Sequence, residues 1–366
     1  MINLGISDFF EDIKKVFMTK SVLGIDIGTV TMKLVEASRK GEAISFDNYG
    51  ILHTREYLNR GNAAIQTSSL KISERDATPL LQQLIAEVKP KSKNVIASIP
   101  IFNAFFVTIE LPALSLSETA QALKFQAKQY IPIPIDEVTI DWTKIGEFQN
   151  ERGQMIQRFF LVAIPNEVIA RYKAIFQSAG LHLIALEVEH QALLRACTTT
   201  SDSCVQIIDI GGESTTTIIV EKGVAKKVHQ IDHGGVSLTR SLARTLDITP
   251  VRAEELKRRK GLLGSGGEYE LSTSLLPFLD VILQECSRVK IDFEKTSQNE
   301  VNEIILVGGG ANLLGVENYF KDQMRVKVRQ PDPLHYFKND PNLSPAVKSL
   351  NRELAVALGL ALRYYL

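Results

Sequence analysis

The 366-residue chain has little of what marks several protein classes. Cysteine is scarce: Cys197, Cys204 and Cys286 are odd in number and match no zinc or iron–sulfur spacing. A reducing compartment accounts for them more simply than a disulfide framework. Neither sign of charge is in excess, because 42 Lys and Arg balance 42 Asp and Glu, which removes the usual electrostatic basis for generic nucleic-acid binding. Proline is sparse (13, against 23 glycines), and 45% hydrophobic with 23% charged residues argues against long disordered or collagen-like stretches. Long apolar runs are missing too. The longest charge-free stretch, Asn94 to Ile109, contains Ser98, Pro100 and Asn103 and falls short of the ~18 apolar residues of a membrane span. Asp8, Glu11 and Asp12 interrupt the region where a secretory signal needs an apolar core. Two common nucleotide motifs are absent: no Gly-x-x-x-x-Gly-Lys-Ser/Thr occurs, and Gly308, Gly310 and Gly315 miss the Gly-x-Gly-x-x-Gly spacing. These absences leave a folded cytoplasmic protein of about two to three domains.

What the chain does contain is an internal echo. GIDIGTVTMKLVEA runs from Gly24 to Ala37, and IIDIGGESTTTIIVE from Ile207 to Glu221. Each copy reads as a strand ending in Asp-Ile-Gly, a tight turn, a returning strand and a second turn, at Arg39 to Glu42 and at Glu221 to Gly223. One Asp-x-Gly is common by chance. Two in the same context, half a chain apart, point to a duplicated domain.

Around the two hairpins, apolar periodicity predicts a helix over Thr78 to Val88 and a buried strand over Asn94 to Ile99. A segment of different rhythm follows: a strand from Ala104 to Leu111, a helix from Ser117 to Tyr130 capped by Ser117, and strands from Val138 to Phe148 and Ile156 to Ile164 joined at Asn150 to Gly153. This strand-helix-strand-strand stretch reads as an inserted subdomain. Then come a helix ending at Gly180, a strand over His182 to Val188 and a helix over His190 to Cys197. The second half predicts helices at Val236 to Leu246, Pro250 to Lys260 and Leu275 to Lys295, and a strand at Glu303 to Val307. A connector spaced by Pro331, Pro333, Pro341 and Pro345 leads to a last helix, Leu350 to Tyr365. The loop Gly261 to Gly267 reads as a connector, and Lys257 to Lys260 as a cationic helix end. Residues 1 to 20 set Ile6, Phe9, Phe10, Ile13, Val16 and Phe17 on one amphipathic face, which suits packing on the protein's own body or on a partner.

A phosphate chain needs many backbone N–H donors at close range, and a glycine turn between paired strands supplies them. Gly28 and Gly211 fit that need. Asp26 and Asp209 stand at the strand ends beside these turns, where two carboxylates can hold a hydrated Mg2+ ion on the phosphates. Thr29, Thr31, Ser214 and Thr215 add hydroxyls, and Lys33 on the return strand can reach a phosphate oxygen. Taken singly, each turn would read as an ordinary β-turn with a buried or capping Asp; the pair is what points to a site.

The ordered set Asp26-Ile-Gly-Thr, Glu187-Val-Glu189, Asp209-Ile-Gly-Gly, Ala253-Glu-Glu-Leu-Lys257 and Val307-Gly-Gly-Gly-Ala311 resembles the actin/Hsp70/sugar-kinase ATPase fold over nearly the whole chain. The stretch from Ala122 to Glu137 and the helix from Glu189 to Ala196 resemble the FtsA/PilM branch, which serves cell division and type IV pilus assembly. The resemblance implies an α/β chain of duplicated actin-like (ribonuclease H-like) domains with an inserted SHS2-type subdomain. Residues 21–100, 166–204 and 346–366 would form domain 1, 101–165 the insertion and 205–345 domain 2, with 1–20 as an N-terminal segment.

The resemblance also implies roles. Asp26, Gly28 and Thr29 match the first phosphate motif; Asp209, Gly211, Gly212 and Thr215 match the second. Glu189 falls where the family presents an acid near magnesium and the attacking water, and Asp26, Asp209 and Glu189 form its catalytic set. Glu254 and Lys257 match the pair at the ribose and adenine edge. Gly308, Gly309, Gly310 and Ala311 match the adenosine motif, and Gly234 and Gly235 approach the nucleotide from the second domain. Gly359 would let the last helix pack closely on the helix from His190. His190 departs from the proline of Hsp70-like relatives, and Gly212 from the alanine of many others. The implied ligands are ATP and Mg2+, with slow hydrolysis at most. The implied partner is the short cytoplasmic N-terminal peptide of a PilN-like bitopic membrane protein, seated where the first domain meets the insertion. That places the chain at the inner face of the cytoplasmic membrane, with self-association possible and nucleic acid excluded. A filament-forming FtsA-like division protein, a small-molecule kinase of the same fold and an interaction module with an empty site are the alternatives.

Overall fold

The computed structural model describes residues 21–53, 74–199, 204–263, 269–297, 299–338 and 346–366. The N-terminal segment, residues 264–267 of the glycine-rich loop, Pro341 and Pro345 lie outside them.

Runs of β-branched residues form most of the strands. In the first half, β1 (Ser21–Ile27), β2 (Thr31–Lys40) and β3 (Ala43–His53) make an antiparallel meander, and β4 (Asn94–Ile99) joins β1 in parallel. The insertion follows, with β5 (Phe105–Pro112), helix α2 (Leu116–Ala127), β6 (Val138–Gln149) and β7 (Met155–Pro165); α1 (Glu74–Val88) precedes β4. After the insertion come α3 (Asn166–Ser178), β8 (His182–Val188) and α4 (Glu189–Cys197). The second half repeats the plan. β9 (Cys204–Ile210), β10 (Thr215–Glu221) and β11 (Val224–Ile231) form an antiparallel meander, and β12 (Glu303–Val307) joins β9 in parallel. Its helices are α5 (Gly235–Thr245), α6 (Pro250–Lys260), α7 (Tyr269–Ser297) and α8 (Val316–Met324). The chain ends with β13 (Lys327–Arg329), β14 (Phe337–Lys338), α9 (Val347–Glu353) and α10 (Ala355–Leu362).

The strands form a six-stranded sheet, β14-β3-β2-β1-β4-β8, a five-stranded sheet, β11-β10-β9-β12-β13, and the insertion's β5-β7-β6. One apolar core lies between the two large sheets around α4 and α10 and includes Val22, Val35, Ala192, Ile207, Ile218 and Leu358. A second core lies under α1 and α3, a third under α5, α7 and α8. The insertion has its own, where Leu123 and Ala127 of α2 meet Ile109, Phe159 and Leu161. Every residue of α10 is buried. A Cβ on Gly359 would lie 2.0 Å from the Ala192 carbonyl oxygen, and one on Gly24 2.1 Å from that of Ala357, so α10 lies directly on α4 and β1. Arg195 of α4 and Arg363 both grip Glu187, at 2.8 and 2.9 Å, tying β8, α4 and the end of α10 together.

Three expectations shift. The insertion helix starts at Leu116 and ends at Ala127, with its cap at Ser115 and not Ser117, because Glu118 stands three residues after Ser115 and closes a capping box with it. The last helix is two, α9 and α10, broken at Leu354. The chain returns to the first sheet before residue 346, since β14 pairs in parallel with β3. Among the described residues no helix is long and apolar enough to cross a membrane.

Candidate functional site

The meanders of both halves open on the same turn. The Gly28 amide donates to the Thr31 carbonyl at 3.0 Å, and the Gly211 amide to the Ser214 carbonyl at 3.0 Å. The registers match as well: Ile27 pairs with Met32, and Ile210 with Thr215. One step deeper the copies diverge. Asp26 faces Lys33 across its hairpin, whereas Asp209 faces Thr216. Lys33 Nζ lies 3.3 Å from Asp26 Oδ2, and Ser98 Oγ at the end of β4 donates to Asp26 Oδ1 at 2.8 Å. The two turns abut, since a Cβ on Gly212 would lie 2.2 Å from Val30 Cγ2.

Between the turns the carboxylates act on one another. Burial, with Asp26 adding repulsion and Lys33 opposing it, pushes the Asp209 carboxyl up to about 6. Burial and the charges of Asp209 and Asp26 push Glu189, at the first position of α4, up to about 8. Glu189 Oε1 accepts from the Ile101 amide at 3.3 Å. Burial works against the charge on Lys33, yet Asp26, Asp209 and Glu353 together hold its pKa above the usual lysine value. The site therefore gathers several acids around one lysine, an arrangement that favours an added cation.

The surrounding glycines are placed by close contacts. The Gly235 and Val236 amides donate to the Gly211 and Gly212 carbonyls, both at 2.9 Å, so the start of α5 lies against the second turn. Thr215 is buried, and its hydroxyl donates to the His233 carbonyl just ahead of Gly234. Gly308 adopts φ +84°, and a Cβ there would lie 2.2 Å from Asp209 Oδ1, which leaves glycine as the fitting residue. Gly309, Gly310 and Ala311 follow in a short 3-10 turn. Arg352 pins that turn: its carbonyl accepts from the Gly308 amide at 2.9 Å, and its Nη1 donates to the Ala311 carbonyl at 2.9 Å.

Glu254 and Lys257 share one face of α6, with Lys257 Nζ 2.6 Å from Glu254 Oε2. Lys257 also donates to the Gly235 carbonyl at 2.7 Å and to Thr239 Oγ1 at 2.8 Å. Gly235 and Thr239 belong to α5, so these two bonds lock α6 onto its start, while Glu254 shares α6 with the lysine. Burial alone would raise the Glu254 carboxyl, but the Lys257 charge and hydrogen bonds from Lys257, Thr239 and Arg258 hold it at about 2.

The structure thus brings Asp26, Lys33, Asp209 and Glu189 into one electrostatic group, with the two turns and the Gly308–Ala311 turn around it. Ser98, Glu353, Arg352 and the Ile101 amide belong to the same surroundings and carry no sequence motif. The only hint for Ser98 was a hydroxyl inside an otherwise apolar strand.

Comparison with known proteins places the fold. A solved PilM–PilN type IV pilus biogenesis complex is 25% identical, with a TM-score of 0.76, covering 93% of this chain and 98% of that one. MreB5 of Spiroplasma citri bound to ADP is 12% identical with a TM-score of 0.52, covering 93% and 95% of the two chains. The ethanolamine utilization protein EutJ from Carboxydothermus hydrogenoformans is 16% identical with a TM-score of 0.50, covering 93% and 90%. The fold is that of the actin-like ATPases. Cell division protein FtsA of Staphylococcus epidermidis is 24% identical over 168 residues, which is 41% of this chain and 36% of FtsA, so the match spans about a third of that relative. The family model for the type IV pilus assembly protein PilM matches residues 24–365, and the chain belongs to that family.

Proposed function

We propose that the chain is an ATP-binding, actin-like scaffold of type IV pilus assembly whose nucleotide state governs its hold on a PilN-like partner. The observation that carries this reading is the pair of matched turns, with Asp26 and Asp209 acting on one another and on Lys33 between them. The donor set fits a magnesium–triphosphate. The Gly28 and Gly211 amides donate within their own turns, so the Thr29, Thr31 and Ser214 hydroxyls beside them would meet phosphate oxygens, and buried acids in mutual repulsion favour a divalent cation. Among the described residues no group of three or more His, Cys, Asp or Glu is arranged to hold a metal. A pair of carboxylates suffices for magnesium, which keeps several of its waters and leans on phosphate oxygens.

In this reading Asp26 and Asp209 hold the hydrated cation, which neutralises phosphate charge when bound. Lys33 contacts a phosphate oxygen, and Thr29, Thr31 and Ser214 offer hydroxyls to the chain. The buried Thr215 acts through the His233 carbonyl, keeping Gly234 and Gly235 against the second turn. Gly308 to Ala311 form the floor for the base, and Glu254 with Lys257 set its edge through α6. Glu189 stands where it can orient a water, and turnover is slow because binding needs only donors and a metal, whereas hydrolysis needs that water held to within a few tenths of an ångström. The division into domain 1 (21–100, 166–204, 346–366), insertion (101–165) and domain 2 (205–345), with β14 reassigned to the first, belongs to the same proposal.

The partner reading draws on the solved PilM–PilN complex. A short N-terminal peptide of a PilN-like inner-membrane protein, bound where the first domain meets the insertion, would hold the chain at the inner face of the cytoplasmic membrane. Titration of the purified chain with Mg-ATP is the test. Micromolar binding is expected, with Asp26→Ala weakening it by about tenfold or more through loss of a charged contact. Unchanged affinity in Asp26→Ala overturns the site.

A further inference from the structure

The first turn of α4 touches two regions with adjacent residues. Glu189 faces the acids of the phosphate turns and also holds the Ile101 amide at 3.3 Å. Ile101 opens the short 3-10 segment Ile101–Asn103, the joint through which the chain leaves β4 for the insertion. His190, the next residue, is fully buried and points toward the insertion. Its ring meets Phe106 edge-on at 5.5 Å and Phe160 at 6.1 Å, and its Nδ1 has no hydrogen-bond partner. Phe106 and Phe160 also line a cleft of about 250 Å³ between the insertion and the second domain, whose far wall is Lys227, His229 and Arg288.

The geometry points to α4 as a relay in which Glu189 exchanges the Ile101 amide for a cation held between Asp26 and Asp209, so that nucleotide binding loosens the joint of the insertion. The inference rests on the nucleotide reading above. Its physical basis is a competition. Glu189 has one buried carboxyl to share between a backbone N–H and the space where like charges converge, and a cation placed there draws its oxygens away from Ile101. His190 carries any shift of that turn to the aromatic wall of the cleft, because a ring packed on two other rings cannot move without them.

Amide hydrogen exchange of the full chain, with and without saturating Mg-ATP, tests the relay. In wild type the nucleotide is expected to speed exchange at Ile101 to Ala104 by roughly tenfold, the value of one hydrogen bond, and to a smaller extent at Phe105 to Thr108. Glu189→Gln keeps an acceptor but cannot become an anion that a cation attracts, so the segment should stay protected in both conditions; Glu189→Ala should exchange fast in both. His190→Ala should keep the response at Ile101 and lose it at Phe105 to Thr108. If nucleotide binds and Ile101 to Ala104 do not accelerate, or Glu189→Ala keeps the full response, the relay is wrong while the site stands. If no nucleotide binds, both fall.

Discussion

Glu189 and Asp209 are acids kept in surroundings that favour their neutral forms, and this fixes the sign of a pH effect. A carboxyl whose pKa is raised on folding contributes stability that is complete below the unfolded value and is lost as pH climbs through the folded one. For Asp209 that loss begins in the ordinary carboxylate range and is complete at about 6; for Glu189 it continues up to about 8. The ligand-free wild type should therefore lose on the order of 2 kcal/mol relative to Glu189→Gln between pH 6 and pH 8. Denaturation midpoints of the two proteins across that range check it, and parallel curves would count against the assigned environment. At this scale the sequence was legible where a residue belonged to a repeated pattern: Asp26 and Asp209 stand in copies of one triplet. Ser98 and Glu353 stand in no repeat, and their approach to the site depends on strand order and on the turn at Leu354, which no spacing encodes.

Among the elements, α10 is buried along its whole length. Its sequence, AVALGLAL, is apolar on every side, and the structure buries all of it between the two large sheets. Gly359→Ala would set a methyl 2.0 Å from the Ala192 carbonyl oxygen, a backbone atom that cannot swing aside. Overpacking of this kind is expected to cost about 3 kcal/mol and lower the thermal midpoint. An unchanged midpoint would mean that α4 and α10 can separate freely. Strand positions were readable from β-branched runs, and β4, β8 and β12 fall where they were expected. Helix ends were less so. Ser115 and Ser117 are chemically alike, and only the placement of Glu118 decides between them. The break at Leu354 has neither glycine nor proline to announce it.

For the molecule as a whole, the separate core of the insertion has an optical consequence. Trp142, the only tryptophan, sits in that insertion with its ring edge-on to Phe159 at 5.4 Å. Its fluorescence should report loss of the insertion's packing, while far-UV circular dichroism is dominated by the two large sheets and their helices. The two heating curves are expected to have different midpoints, and Mg-ATP at about 100 times its Kd should raise the circular-dichroism midpoint by stabilising the body by roughly 2.7 kcal/mol. Coincident midpoints would indicate one cooperative unit. The duplication was plain from the echoing triplets, and the insertion from the change of rhythm between Ala104 and Ile164. The small strand β14 was not, because two residues paired across almost three hundred positions leave no periodicity to read. That late strand, together with α10 beneath β1, interlaces the first strands described with elements more than 280 positions later. A ribosome must have passed Leu362 before the first sheet can acquire the strand β14 on its edge and the helix α10 on its face, so the earlier strands wait, incomplete, for these later elements.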